Sequence, residues 1–228
     1  MTPAIEVRNV SWGVKGVAGG LDRLSLSVPR GQCLVLGGGA GSGKATLLRL
    51  IARDLPPRSG AVCLFSRDIW LMSAEEVAAT VTVLSPADTA FDGMTPWQIV
   101  GAACRDARRD PSPAARSAAI HAALRQVGLA GMRDPAFGQL PAGDRLRVLV
   151  ARLLVLRPQI LLLPDAAEGE ALRLQIGLLG ALRDAGATVV MTAEHAESSA
   201  GLADRVVELD RGRIVADSAA GPAMMRAG

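Results

Sequence analysis

The sequence predicts an α/β fold in which a mostly parallel sheet is covered by helices. Short apolar runs typical of buried strands, such as residues 33–37 and 160–163, alternate with longer stretches of helical periodicity. A glycine-rich loop, residues 37–43, connects the first of these strands to a helix. Alternation of this kind favours parallel strands joined by helices that pack on the faces of the sheet.

The first half of the chain is rich in strands. Strands are predicted over residues 5–12, 24–28, 33–37 and 60–65, with a turn at 29–31. The helix after the glycine loop carries Leu47, Leu48 and Ile51 on one face. Ser73 followed by Glu76 is a capping-box pattern, which predicts that a further helix begins there and covers residues 74–80.

The second half is more helical. Asp110 or Ser112 is expected to cap a helix that begins near Pro113 and ends at Gly128. A strong helix over residues 145–156 follows a loop at 140–144 and stops at Pro158. Beyond the strand at 160–163, the pattern predicts a helix over 171–186, a strand over 188–192, a short helix, and two strands around the turn at 210–212.

Size and composition indicate one domain, residues 1–228, with an aliphatic core. Half of the 228 residues are hydrophobic, but the chain has only three Phe, three Trp and no Tyr. The net charge is +3, and the positive charges are scattered apart from a short run at Arg105, Arg108 and Arg109. We interpret that run as a solvated helix end, so no nucleic-acid partner is predicted.

The remaining composition signals exclude other classes of site. Cys33, Cys63 and Cys104 lack the spacing of a metal site and are predicted to be small buried residues in a reducing compartment, so no metal ligands are predicted. His121 lies among alanines in a predicted helix and is expected at the surface. No signal-peptide core and no apolar run near ~18 residues is present, so any membrane role is expected to depend on a partner.

The glycine-rich loop predicts a phosphate-binding site. Gly38, four further residues, Gly43 and Lys44 follow the G-x-x-x-x-G-K pattern between a strand and a helix. Backbone N–H groups at a helix start attract phosphate oxygens, and Lys44 adds a positive charge for the β- and γ-phosphates. The next residue is normally Ser or Thr, whose hydroxyl holds Mg²⁺, but here it is Ala45. The candidate binding residues are Gly38, Gly39, Gly41, Ser42, Gly43, Lys44, Ala45 and Thr46.

Nearly the whole chain resembles an ATP-binding cassette (ABC) nucleotide-binding domain. The resemblance rests on ordered segments at family-like distances: IEVRNVSW, LSLSVPRGQCLVLGGGAGSGKATLLRLIA, LPPRSGAV, FDGMTPWQIV, LPAGDRLRVLVARLLVLRPQILLLPDAAEG, ATVVMTAEH and LADRVVELDRGRIVADS. It implies a P-loop NTPase fold of ABC type, with an N-terminal antiparallel β part and a helical subdomain over about residues 88–157. It also implies that Thr46 contacts the α-phosphate. The segment LMSAEEVAATVTVL loosely resembles importers of iron chelates, haem and vitamin B12.

The chain departs from the family pattern at its metal, base, switch and dimer-closing positions. The signature loop L-S-G-G-Q is replaced by residues 140–144, LPAGD, in which Pro141 has no N–H to donate. Pro164 and Asp165 stand where the family has the Asp and Glu of Walker B, and Pro86 stands where it has a glutamine. Glu194 replaces the switch histidine, and residues 168–171 replace the D-loop. The aromatic residue that stacks on adenine in the family would fall near Val14.

Three residues are candidates for the missing catalytic groups. Asp165 is the candidate base; with a one-residue slip it would instead be the metal carboxylate, and Ala166 would then leave no base. Glu194 and the neighbouring His195 are candidates for the switch.

The resemblance implies an ATP-binding subunit of a membrane transporter, cytoplasmic and peripheral on the inner face of the cell membrane. ATP or ADP is the expected ligand, with weak dependence on Mg²⁺ and weak or absent hydrolysis. The expected partners are a separate membrane permease and a second cassette, either identical or different. Two alternatives are a non-catalytic nucleotide-binding scaffold or regulator, and a soluble ABC protein outside transport.

Overall fold

The computed structural model describes residues 2–13, 18–84, 89–106, 112–132, 135–164, 182, 186–194 and 203–219. In these ranges the strands are β1 Ile5–Trp12, β2 Leu21–Val28, β3 Cys33–Gly37, β4 Ser59–Leu64, β5 Arg67–Asp68, β6 Val81–Val83, β7 Ile160–Leu163, β8 Thr188–Thr192, β9 Arg205–Asp210 and β10 Arg213–Ala219. The α-helices are α1 Lys44–Ile51, α2 Ala74–Ala78, α3 Pro96–Asp106, α4 Pro113–Gln126 and α5 Ala142–Leu156. The described residues form two compact units, one drawn from 1–83, 159–166 and 183–228 and the other from 84–158 and 167–182.

A six-stranded sheet in the order β10-β9-β3-β8-β7-β6 forms the centre of the first unit. The strands from β9 to β6 are parallel, and β10 pairs antiparallel with β9 at the edge. Every residue of β3, β7 and β8 is buried, which explains why β3 and β7 are continuous apolar runs and why β8 has an apolar centre between two buried threonines. The carboxyl ends of the parallel strands therefore share one edge of the sheet.

A second sheet, antiparallel and in the order β2-β1-β4-β5, packs in the same unit. In β2, buried Leu24, Leu26 and Val28 alternate with more exposed residues, as expected for a strand with one face on the core. One cluster of buried aliphatic side chains joins β1, β2 and β4 with β3, β7 and helix α1. The predicted antiparallel N-terminal part and the aliphatic core are both present.

The second unit contains helices α3, α4 and α5 around a buried core that includes Phe137, Ile99 and Leu149. The Ser112 hydroxyl accepts a hydrogen bond from the N–H of Ala115 at 3.3 Å, so Ser112 is the N-cap of α4; Asp110 lies outside the described residues. His121 is half-buried, and its ring packs edge-to-face on Trp97 with 4.7 Å between centroids. His121 is therefore partly exposed, as predicted for a surface residue, and also packs on Trp97.

Helix α5 begins three residues earlier than predicted. Residues 142–144 were predicted to be loop, yet they form the first turn of the helix. The carbonyl of Pro141 accepts hydrogen bonds from the N–H groups of Asp144 at 3.0 Å and Arg145 at 2.9 Å. Proline has a fixed φ that suits the start of a helix, and Pro141, which was predicted to lie in a loop, is the N-cap of α5.

Some predictions concern residues outside the described ranges. The predicted helix over 171–186 lies there except for Leu182 and Gly186, as does Pro86. Among the described residues, none of the helices combines the length and apolarity that crossing a bilayer requires. The three cysteines are buried, as predicted, and burial raises the pKa of the Cys63 and Cys104 thiols.

Candidate phosphate-binding site

The glycine-rich loop lies between the end of β3 and the start of α1. Gly43 is the N-cap of α1, with a left-handed backbone of φ 105°, and no side chain caps the helix there. The carbonyl of Gly43 accepts the first helical hydrogen bond, from the N–H of Leu47 at 2.9 Å. A helix start that no side chain caps leaves backbone donors and the positive end of the helix dipole for an anion.

Gly38 fixes the path of the loop as it leaves β3. Its φ is 134°, and a Cβ at this position would overlap the carbonyl oxygen of Leu209 and lie 2.9 Å from the Ser42 hydroxyl. Only glycine fits such a close approach without moving the backbone. The Ser42 N–H then donates to the carbonyl of Gly39 at 3.2 Å, which closes a tight turn inside the loop. The Ser42 amide, predicted as a phosphate donor, is thus already bonded within the loop.

Lys44 folds back over the loop. Its ammonium Nζ donates to the carbonyl oxygens of Gly38 and Gly39, the latter at 2.9 Å, and approaches the Ser42 hydroxyl at 3.3 Å. The Lys44 side chain is half-buried. The ammonium is the only formal charge among these groups, so a single cation lies over the carbonyl oxygens of the loop.

The two residues after Lys44 differ in what they offer. Ala45 is exposed and supplies no oxygen atom for a metal. Thr46 is half-buried, and its hydroxyl donates to the carbonyl of Gly19 at 2.7 Å. Thr46 therefore ties α1 to the segment that precedes β2.

The carboxyl edge of the parallel sheet brings the ends of β7 and β8 to the same side as the loop. The N–H of Ala193, just past β8, donates to the Leu36 carbonyl in β3 at 3.0 Å. Glu194 follows it directly and is exposed, and half-buried Pro164 follows β7. Asp165 and His195, the other candidate catalytic residues, lie outside the described ranges. Among the described residues, no cluster of three or more His, Cys, Asp or Glu side chains is placed to hold a metal ion.

Residues 140–144, which lead into and begin helix α5, have hydrogen bonds of their own. Pro141 has no N–H, and the Nε of Arg145 donates to the Leu140 carbonyl at 3.0 Å. The Asp144 carboxylate lies in the first turn of α5 and accepts a hydrogen bond from Arg147 at 3.3 Å. The negative charge of the Asp144 carboxylate is therefore partly balanced by Arg147 and by the helix dipole.

Sequence reasoning missed two segments that contact the loop. The N–H of Gly19 donates to the Gly41 carbonyl at 2.7 Å, and the N–H of Gly212 donates to the Ser42 carbonyl at 2.9 Å. The predicted turn at residues 210–212 gave a hint, because glycine there indicates a special backbone conformation, but nothing in the pattern indicates which part of the chain it contacts.

Comparison with known proteins identifies the family. The family model for ABC transporters matches residues 21–168. The hemin import ATP-binding protein HmuV of Rhodopseudomonas palustris (strain BisB18) is 34% identical over 230 residues, which cover 96% of this chain and 84% of that protein. The cobalt import ATP-binding protein CbiO of Rhodobacter capsulatus is 32% identical over 96% of this chain and 80% of that protein. The chain therefore belongs to the ABC transporter family and carries its ATP-binding cassette.

Solved structures agree on the fold. The cbiO1 protein of Clostridium perfringens, part of the ABC transporter complex cbiONQ, has a TM-score of 0.81 at 19% identity and covers 96% of this chain and 89% of its own. The dimeric ATP-binding cassette MJ0796 in a post-hydrolysis state, bound to ADP and Pi, has a TM-score of 0.79 at 20% identity and covers 94% and 98%. The predicted P-loop fold of ABC type is confirmed.

Proposed function

We propose that this chain binds ATP or ADP through residues 38–46 and acts as the ATP-binding subunit of an ABC importer. The observation that carries the proposal is the uncapped start of α1 at Gly43, with the Lys44 ammonium held over the loop carbonyls. This donor set fits a polyphosphate, since it combines backbone N–H groups, a helix dipole and one cation. When nucleotide binds, Lys44 exchanges its carbonyl partners for phosphate oxygens.

The transported substrate is proposed from the relatives. Proteins named for hemin and cobalt import align over almost all of this chain. We therefore place the substrate among metal-bearing compounds such as haem or cobalt species. Methionine importers also align, but this chain covers only 64% of their length.

Hydrolysis is proposed to be weak or absent, with little dependence on Mg²⁺. Ala45 and Pro164 stand where the family has the two protein groups that hold the metal, and neither can coordinate it. Pro141 removes one N–H from the signature loop. Loss of one such donor or acid–base group commonly lowers the rate by about 10²- to 10³-fold, although several losses are not additive. The same residues favour a second candidate, a nucleotide-binding scaffold or regulatory subunit.

The proposed assembly is peripheral on the inner face of the cell membrane. One partner is a separate membrane permease, and the other is a second cassette, either identical or different. The segment around Met94 and Trp97, both half-buried in the helical unit, is the proposed permease contact.

Nucleotide titration by calorimetry, with and without Mg²⁺, tests the binding proposal. ATP should bind in both conditions, Lys44→Ala should abolish binding, and Arg67→Ala should not. Arg67 is a matched control because it also loses one positive charge, but from an exposed ion pair with Glu76. Robust Mg²⁺-ATP hydrolysis that Lys44→Ala removes would contradict the proposal of weak hydrolysis. Cross-links from positions 94 and 97 that never reach a co-expressed permease would contradict the transporter assignment.

A further inference from the structure

Gly212, in the turn between β9 and β10, is hydrogen-bonded to two distant segments at once. Its N–H donates to the carbonyl of Ser42 in the phosphate loop at 2.9 Å. Its carbonyl accepts from the N–H of Asp22, at the start of β2, at 3.1 Å. The phosphate loop, the start of β2 and the β9–β10 turn therefore meet through backbone groups.

The contact requires glycine at position 212. The φ of Gly212 is 77°, in the left-handed region, and a Cβ there would overlap the carbonyl oxygen of Gly20 and lie 2.8 Å from the Cα of Leu21. Those neighbours are backbone atoms, which cannot rotate away as a side chain does. A larger residue would therefore push the turn away from the loop or distort both.

Further bonds join each of these three segments to the other two. The N–H of Gly19 donates to the Gly41 carbonyl at 2.7 Å, so the segment that precedes β2 is also bonded to the phosphate loop directly. Outside the turn, the guanidinium of Arg213 donates to the Asp22 carboxylate at 3.1 and 2.6 Å. The ion pair links the start of β10 to β2, beside Gly212.

The hydrogen bond from Gly212 has a consequence for anion binding. The peptide unit between Ser42 and Gly43 is planar, with its carbonyl and its N–H pointing in opposite directions. By holding the Ser42 carbonyl, Gly212 sets the direction of the Gly43 N–H. That N–H is one of the donors assigned to phosphate, at the start of α1.

We propose that Gly212 is a positioning residue for nucleotide phosphate, acting through the Ser42–Gly43 peptide without touching the ligand. This inference rests on the proposed function, since it assumes that the loop binds phosphate. Arg213 and Asp22 support the same arrangement from outside.

The test compares Gly212→Ala with Gly31→Ala. Gly31 has nearly the same left-handed φ, 72°, but a Cβ there has open space within 4 Å, so this control carries the backbone strain without the clash. We expect Gly212→Ala to lower the affinity for ATP and for inorganic pyrophosphate at least tenfold in calorimetry. Gly31→Ala should change both affinities by less than twofold, even if the two variants lose similar thermal stability.

A spectroscopic readout follows the peptide itself. The sequence contains only two Ser-Gly pairs, Ser42-Gly43 and Ser59-Gly60. Protein made with carbonyl-¹³C serine and ¹⁵N glycine therefore shows two amide signals in a carbonyl-selected NMR spectrum, and Ser59→Ala removes the Gly60 signal to assign them. Gly212→Ala should shift the Gly43 signal and leave Gly60 in place, whereas Gly31→Ala should move neither.

A milder pair of variants keeps the test valid if Gly212→Ala does not fold. Arg213→Ala removes the ion pair to Asp22, and Arg8→Ala removes an ion pair of the same length, 2.6 Å, with the same 54% exposure of the arginine. Arg213→Ala should shift the Gly43 signal and weaken pyrophosphate binding about threefold, and Arg8→Ala should do neither.

The outcomes separate the two proposals. Unchanged affinity and an unmoved Gly43 signal in both Gly212→Ala and Arg213→Ala would overturn the positioning role while nucleotide binding by the unmodified chain stands. No nucleotide binding by the unmodified chain would overturn the proposed function. In that case, a shift of the Gly43 signal in Gly212→Ala and Arg213→Ala, but not in the controls, would still support the link between Gly212 and the Ser42–Gly43 peptide. The absence of that shift would overturn the link.

Discussion

Replacing Thr46 by valine removes one hydroxyl and keeps the branched shape of the side chain. This hydroxyl donates to the Gly19 carbonyl at 2.7 Å, at a half-buried position. A neutral hydrogen bond contributes about 0.5–1.5 kcal/mol net, and a carbonyl left without its donor adds a penalty that water partly relieves here. We therefore expect Thr46→Val to lower the free energy of unfolding by about 1–2 kcal/mol, or roughly 2–8 °C in Tm for a chain of this size.

The same hydroxyl is expected to contact the α-phosphate when nucleotide binds. A hydrogen bond to a charged group contributes about 1.5–3 kcal/mol, but binding replaces the bond to Gly19 rather than adding a new one. The hydrogen bond to phosphate is thus stronger than the bond to Gly19 by about 1 kcal/mol, which corresponds to a three- to tenfold loss of ATP affinity in Thr46→Val.

Thermal unfolding by calorimetry and nucleotide titration measure the two effects separately. Thr46→Ser is the matched control because it keeps the hydroxyl and loses only a methyl group. It should retain most of the Tm and stay within about twofold in ATP affinity. A Tm of Thr46→Val equal to that of the unmodified chain, or equal affinity losses in the two variants, would refute the assigned role of the hydroxyl.

Three further predictions concern pH, packing and the metal. Hydrogen bonds from Arg205 hold the pKa of Asp217 below its usual value, so this pair stabilises the fold fully above the unfolded pKa and loses that effect as pH falls through the lower folded pKa. Asp217→Asn should reduce the loss of unfolding free energy between pH 5 and pH 2 by less than about 1 kcal/mol, measured by urea unfolding. A pH dependence of the unfolding free energy equal to that of the unmodified chain would contradict this. Phe137→Ala empties a fully buried site in the helical unit and should cost about 3–5 kcal/mol by urea unfolding, and a loss under about 1 kcal/mol would contradict the packing. Ala45→Ser together with Pro164→Asp should make ATP affinity depend on Mg²⁺ in titrations with and without EDTA, and a full effect from either single change would contradict a shared metal site.

The sequence determined much of the local structure. Ser73 and Glu76 form the predicted capping box, with hydrogen bonds of 3.1 and 2.8 Å, because such caps involve residues three apart. The strands at 33–37 and 160–163 were also predicted correctly, since a continuous apolar run needs burial on both faces. Strand β6 and helix α3 were not assigned; β6 has only three residues, too few for a periodic pattern.

The sequence also located the phosphate loop, because its glycines and Lys44 are contiguous and lie between a strand and a helix. The roles of Asp165 and His195 stay predictions. The family pattern did indicate which groups are replaced, as at Ala45 and Pro164, because the spacing of the motifs is enough to locate those positions.

Only the tertiary structure decided which groups surround the loop. The order of the central sheet places β8 and β9 on either side of β3, and strand order depends on long-range pairing that local patterns do not encode. The contacts of Gly19 and Gly212 with the loop are made by backbone N–H and carbonyl groups, which every residue but proline carries in full. Because no side chain carries these bonds, the sequence marks Gly212 only as a turn residue. The fold alone shows that its N–H holds the Ser42 carbonyl and so sets the direction of a predicted phosphate donor.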